Sequence, residues 1–240
     1  MDDGPAQPSV CALVGGVDER MEGALAAQRR PPRTVVRDPG GLRAGLERAL
    51  DTGADWVWVL DGTAAPAPDS LAALLDALED AAGLPAPVVL AGVVLDSNGR
   101  ADRGRGVWFH RDRADLALAA AERRLLPVRA TAAPALVARG AAESELPARR
   151  ARLGPSGVFE WTARLLREGA GYLVPAAESR ALRTVRDPAG DPLSAIRLLR
   201  GRALSGREKL VLGYKLAERA GEWISAPAAA ARPPGRRSAS

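Results

Sequence analysis

The sequence predicts an α/β fold, a mostly parallel sheet flanked by helices, with further helices toward the C-terminus. Two observations carry this expectation. Strand-like apolar segments alternate with amphipathic helical ones across residues 10–95, the pattern of parallel strands joined by crossover helices. Within that stretch, DWVWVLD (55–61) is apolar almost without interruption, which suits a strand buried on both faces of a parallel sheet.

The elements follow in order. VCALV (10–14) is a short buried strand, and Cys11 within it is a buried, inert thiol. A helix runs over about 18–30 and stops at Pro31-Pro32. TVVR (34–37) is a second strand that leads into the turn Asp38-Pro39-Gly40-Gly41. Leu42, Leu46, Ala49 and Leu50 recur at helical spacing, so 42–52 is an amphipathic helix closed by Gly53. After the strand at 55–61 and the loop GTAAPAP, Asp69 caps a helix whose buried stripe is Leu71, Leu74, Leu75 and Leu78. PVVLAGVVL (87–95) is a strand, and Asp96-Ser97-Asn98-Gly99 turns it into a hairpin partner ending near Trp108-Phe109. Residues 114–124 read as helical, VRATAAPALVAR (128–139) holds a strand, and a helix over about 158–168 precedes the strand GYLVP (171–175). The expected organisation is a flexible N-terminus (1–9), an α/β domain (10–190), a helical extension (191–225) and a disordered basic tail rich in Pro, Ala and Arg (226–240).

Composition excludes several function classes. Net charge is +5, yet nearly all the cations are Arg, with Lys only at Lys209 and Lys215. No Arg run is interleaved with aromatics as a single-strand binding groove requires, so no nucleic-acid partner is expected. Cys11 and His110 are the sole cysteine and histidine, which excludes a disulfide framework and a Cys/His zinc site. A Ser-His-Asp arrangement would depend on His110, and no Ser has a nucleophile-elbow setting. The acidic start MDDGPAQPS does not read as a signal peptide, and no apolar run approaches the ~20 residues that span a bilayer. The expected location is cytoplasmic.

Ligands of open α/β sheets sit beyond the carboxyl ends of the strands. There, DWVWVLDGTAAPAPDSLAALLDAL (55–78) resembles the segment of family-2 glycosyltransferases in which a strand enters an Asp-x-Asp motif, a Pro-containing loop and a helix. AAQRRPPRTVVR (26–37) and GGLRAGLERALDTGADW (40–56) resemble the upstream parts of that family. RATAAPALVAR (129–139) and GVFEWTARLLREGAGYLVP (157–175) resemble its sugar-pocket strand and acceptor-side helix. The resemblance implies a GT-A, Rossmann-like fold and transfer of a sugar from a nucleoside-diphosphate sugar to a hydroxyl acceptor, glycan or lipid-linked. It implies that Asp61 meets the diphosphate and a divalent metal, Mn or Mg, with Thr63 beside it. Asp38 is the nearest candidate for the nucleobase contact, and Gly41 lies in the glycine-bearing loop. Besides the nucleobase Asp, which has no clear counterpart here, the sequence departs from the family at three points. The metal motif reads Asp61-Gly62-Thr63, the base position falls on Val158, and the late metal-binding His is absent, Arg180 or Arg183 lying in that region. Glu160 is the candidate surrogate base.

Each assignment has a structural counterpart. Asp61 can end a strand as a turn residue, and Gly41 can serve the turn alone. Glu160 stands four residues before Arg164, the spacing of an intrahelical ion pair. Trp161 fits the core, Asp96 a turn, and His110 the surface. Between 192 and 224, apolar residues at helical spacing alternate with cations, fitting either packing on the sheet or docking on an anionic membrane's inner face. Two rival functions differ in class. The reduced metal motif and the empty base position suit a catalytically inactive binding or scaffold protein on the same fold. A dinucleotide-binding oxidoreductase is disfavoured because VGG (14–16) lacks the G-x-G-x-x-G spacing.

Overall fold

The computed structural model describes residues 7–16, 18–38, 41–102, 107–109, 119–132 and 134–183. The expectations for His110, Gly40 and residues 191–240, including any membrane contact through 192–224, lie outside these residues. The chain begins with β1 (Val10–Gly15), α1 (Glu19–Ala26), β2 (Thr34–Asp38), α2 (Leu42–Asp51) and β3 (Trp56–Leu60). It continues through β4 (Ala64–Pro66), α3 (Ser70–Asp80), β5 (Pro87–Leu95), β6 (Val107–Phe109), β7 (Leu126–Thr131) and β8 (Ala135–Ala138). Last come α4 (Arg139–Ser144), α5 (Pro155–Leu165) and β9 (Ala170–Ala181).

The sheet order is β2-β1-β3-β8-β5-β9-β7-β6, with β4 paired to β9 outside that path. Strands β2, β1, β3, β5, β9 and β6 point one way, and β8, β7 and β4 run against them. The central strands are buried on both faces, and successive residues serve opposite cores because side chains alternate along a strand. Cys11, Leu13, Val57 and Val59 meet α2 and α5 through Leu42, Leu46 and Trp161. Val10, Ala12, Val14, Trp58 and Leu60 meet α1 and α3 through Met21, Leu25, Leu71 and Leu74. Burial pushes the Cys11 thiol pKa up, in keeping with an inert core residue. Trp161 is core as well, its Nε1 donating to the Glu145 carbonyl at 2.6 Å.

Several local expectations give way to tertiary contacts. Asp69 makes no capping bond to α3; its carboxylate pairs with Arg29 at 3.0 Å. The free N–H of Leu71 is taken instead by the side-chain oxygen of buried Gln28 (3.1 Å), so α3 is capped from across the fold. Gln28 also donates to the Ala24 and Ala67 carbonyls, which closes α1 at Ala26, short of Pro31. The turn at Asp96 forms, with Asn98 N–H on its carboxylate at 2.8 Å. Among the described residues its expected hairpin is one bridge, Leu95–Ala101, and β6 pairs with β7. Residues 128–139 hold two strands in place of one, interrupted near Pro134, whose carbonyl accepts from Gly92 N–H at 2.9 Å.

The entrances of β1 and β3 are clamped together by Asp55. Its carboxylate accepts from Ser9 N–H (2.8 Å) and Oγ–H (2.7 Å). These hydrogen bonds, the hydroxyl's first, hold the Asp55 pKa below the usual carboxylate range. A depressed folded pKa means the contribution is present above the ordinary carboxylate pKa and lost as pH falls through the folded value. Asp55→Ala is therefore expected to cost about 0.5 kcal/mol at neutral pH, the pair being exposed and screened. In urea unfolding series, the gap between variant and parent should close toward strongly acidic pH.

Candidate functional site

The parallel strands β2, β1 and β3 end together, and their last residues form one edge. Register pairs Gly15 with Asp38 and Val14 with Leu60, so the next residue, Asp61, lies on the other side of Gly15. Two carboxylates thus flank the glycine end of β1, one strand spacing away on either side, each about 5 Å.

Asp61 is buried and closes its own turn. Its Oδ1 accepts from Thr63 N–H at 2.9 Å and from Thr63 Oγ1–H at 2.6 Å. The hydroxyl expected beside the diphosphate thus donates a hydrogen bond to Asp61. Between them Gly62 has φ +76°, and a Cβ there would stand 1.8 Å from the Gly15 carbonyl oxygen. The two strand ends touch backbone to backbone, which only glycine allows.

Asp38 is 7% exposed, with Oδ1 accepting from Gly41 N–H (2.9 Å) and Oδ2 paired with Arg48 (2.8 Å). Both bonds fasten the end of β2 to α2. Gly41 is the residue before α2, with φ −112°, an extended conformation that other residues also adopt.

A loop that sequence reasoning missed reaches the same edge. Gly41 bridges Arg152, and Leu42 N–H donates to the Ala151 carbonyl at 2.9 Å. A Cβ on Gly15 would meet the Asp61 carbonyl at 2.9 Å and Leu153 Cγ at 3.0 Å, so Leu153 and Asp61 abut the same point. The only signal in the sequence was a run of arginines before Gly154-Pro155. From the far side, β4 pairs Ala65 with Arg180, and Leu182 N–H donates to the Thr63 carbonyl (2.9 Å), which sets Arg183 next to the Asp61 turn.

Glu160 lies on α5. It is half-buried, and no hydrogen bond or ion pair joins it to Asp38, Asp61, Thr63 or Arg164. Arg164 pairs with Glu145 at 3.5 Å and donates to the Leu146 carbonyl, so the intrahelical ion pair does not form. Val158, on which the resemblance puts the base, is 1% exposed and packs with Trp161 and Leu165 in the core.

No family model matches this sequence, and no curated protein is significantly similar to it. Its structural likeness is to glycosyltransferases of the GT-A fold. The crystal structure of GalNAc-T7 with UDP, GalNAc and Mn2+ matches with a TM-score of 0.53 at 10% identity. The match covers 82% of this chain and 48% of the other, so the chain spans about half the length of that neighbour. The fold is GT-A-like: a mixed α/β sheet flanked by helices, with its strand ends gathered at one edge.

Proposed function

We propose that this chain is a glycosyltransferase of the family-2 type, which moves a sugar from a nucleoside-diphosphate donor to a hydroxyl acceptor. The observation that carries the reading is the placement of Asp61 and Asp38 on either side of Gly15 at the carboxyl edge of the sheet. This is where open α/β sheets bind nucleotides. Asp38 and the turn at Gly41 lie at the nucleoside end, and the Asp61 turn lies at the diphosphate. The neighbour that shares the fold was crystallised with UDP, which supports a nucleoside diphosphate as the ligand class.

A divalent cation such as Mn or Mg would rest on Asp61. Among the described residues Asp61 is the one carboxylate at this turn. Hard cations take about six oxygen ligands, whereas Asp61 Oδ1 already receives Thr63's two donors. Among the described residues no group of three or more His, Cys, Asp or Glu is placed to hold a metal.

Glu160 is the proposed general base. It takes the proton from the acceptor hydroxyl as that oxygen bonds to the anomeric carbon and the bond to the diphosphate breaks. Among the described residues no ion pair holds its carboxylate. Glu160→Gln should leave donor binding intact and slow transfer about 100-fold, read as product formed from labelled donor. A variant with undiminished turnover would remove Glu160 from the chemistry. The second reading, an inactive GT-A-fold binding protein, draws support from Val158, a buried aliphatic residue where the family keeps its base. Donor consumption with an acceptor or with water separates the readings: sustained turnover excludes the inactive one. A cytoplasmic location, with 192–224 meeting a lipid-linked acceptor at the membrane, belongs to the same proposal.

A further inference from the structure

We infer that arginine meets the diphosphate charge in place of a divalent cation, through Arg149, Arg150 and Arg152 on the loop before α5 and Arg183 beside Thr63. The inference rests on the donor-site reading above and concerns how that site neutralises its ligand. A nucleoside diphosphate brings two or more negative charges to this edge, where Arg48 is already engaged by Asp38, so binding there requires further cations. Among the described residues Asp61 is the one carboxylate at this turn, while the backbone at Arg152 and at Leu182, next to Arg183, reaches the same edge.

The loop's arginines differ from those of β2 and α2, where Arg37, Arg43 and Arg48 each hold a carboxylate within 3.0 Å. Arg149, Arg150 and Arg152 are exposed and have neither an ion pair nor a side-chain hydrogen bond among the described residues. Three like charges within four positions repel one another, a cost that an anion would relieve.

Their placement is fixed by backbone contacts. Arg152 bridges Gly41, the residue whose N–H is bonded to Asp38. Its carbonyl lies against Gly157 in the first turn of α5, where a Cβ would stand 2.2 Å from the oxygen. The following residue, Leu153, abuts Gly15 opposite the Asp61 carbonyl. The loop is thus pinned by α2, α5 and the end of β1 together. On the other flank, the bond from Leu182 to Thr63 holds Arg183 by the Asp61 turn. A guanidinium matches phosphate oxygens with two parallel N–H donors, a geometry that a lysine ammonium lacks.

Titration calorimetry of the full chain tests this with the diphosphates of uridine, guanosine, adenosine, cytidine and thymidine, and with inorganic pyrophosphate, each in EDTA and in Mn2+. At least one nucleoside diphosphate should bind equally well in both. The combined variant Arg149→Ala, Arg150→Ala, Arg152→Ala should weaken that binding about 100-fold, and Arg183→Ala about 10-fold. The combined variant's melting temperature should stay put, because those side chains are exposed. Lysine at the same three positions should restore only part of the affinity. Binding that requires Mn2+, or that survives the arginine substitutions, overturns the inference and leaves the donor site standing. Failure of every nucleoside diphosphate in both conditions overturns the donor-site reading and the inference with it.

Discussion

Asp61→Asn should erase the stabilisation that a nucleoside diphosphate confers on this chain. At a ligand concentration ~100 times the dissociation constant, a ligand that binds only the native state adds roughly 2.7 kcal/mol. The asparagine is chosen because Asp61 also has a local task. Its Oδ1 accepts both the N–H and the hydroxyl of Thr63 in a buried turn. Asp61→Ala would strand those donors at a cost of about 1–3 kcal/mol and confuse folding with binding. The asparagine amide oxygen still accepts from Thr63, while the charge is gone. Thermal melts with and without nucleotide provide the measurement. Equal nucleotide-induced shifts in parent and Asp61→Asn would show that this edge is not where the diphosphate binds.

Gly62→Ala should produce the largest loss of stability among single methyl additions at the site. The position combines φ +76° with a Cβ that would stand 1.8 Å from the Gly15 carbonyl oxygen. That oxygen belongs to backbone at the end of β1, so relief requires the two strand ends to part. A cost of about 3 kcal/mol or more is expected, with a fall in melting temperature of roughly 6–12 °C. Gly16 supplies the control. It has φ +78° but nothing within 4 Å of its Cβ position, so Gly16→Ala should cost only the left-handed penalty of about 1 kcal/mol. Similar urea midpoints for the two variants would mean that the close approach of β1 and β3 does not govern the edge. Because Gly62 separates Asp61 from Thr63, the same variant should weaken nucleotide binding even where it remains folded.

Much of the site is legible in the amino-acid sequence. Asp38 and Asp61 each end an apolar strand segment, and in a parallel sheet such positions fall at the carboxyl edge. Reading the strands from their apolar runs therefore locates both carboxylates together. What the sequence does not disclose is what each carboxylate touches. Arg48 on Asp38, Thr63 on Asp61 and Glu145 on Arg164 are contacts of packing and turn geometry. Of these, only the Asp61–Thr63 turn lies within a few residues of chain, where short-range chemistry could suggest it.

The amino-acid sequence by itself determined the elements whose burial pattern is local. Near-continuous apolar runs made β1, β3 and β5, and leucines at helical spacing made α2 and α3. Glycine where the backbone must be left-handed set the end of α2 at Gly53 and the crossing at Gly62. Only the tertiary structure decided which strands became neighbours. The insertion of β8 between β3 and β5, antiparallel to both, has no counterpart in the hydrophobic pattern. An apolar strand satisfies its burial equally well beside any partner, so long-range pairing is settled by the packing of the whole sheet. The same holds for Arg152. Its charge is written in the sequence, but its place beside Gly41 comes from a backbone bridge between segments more than a hundred residues apart.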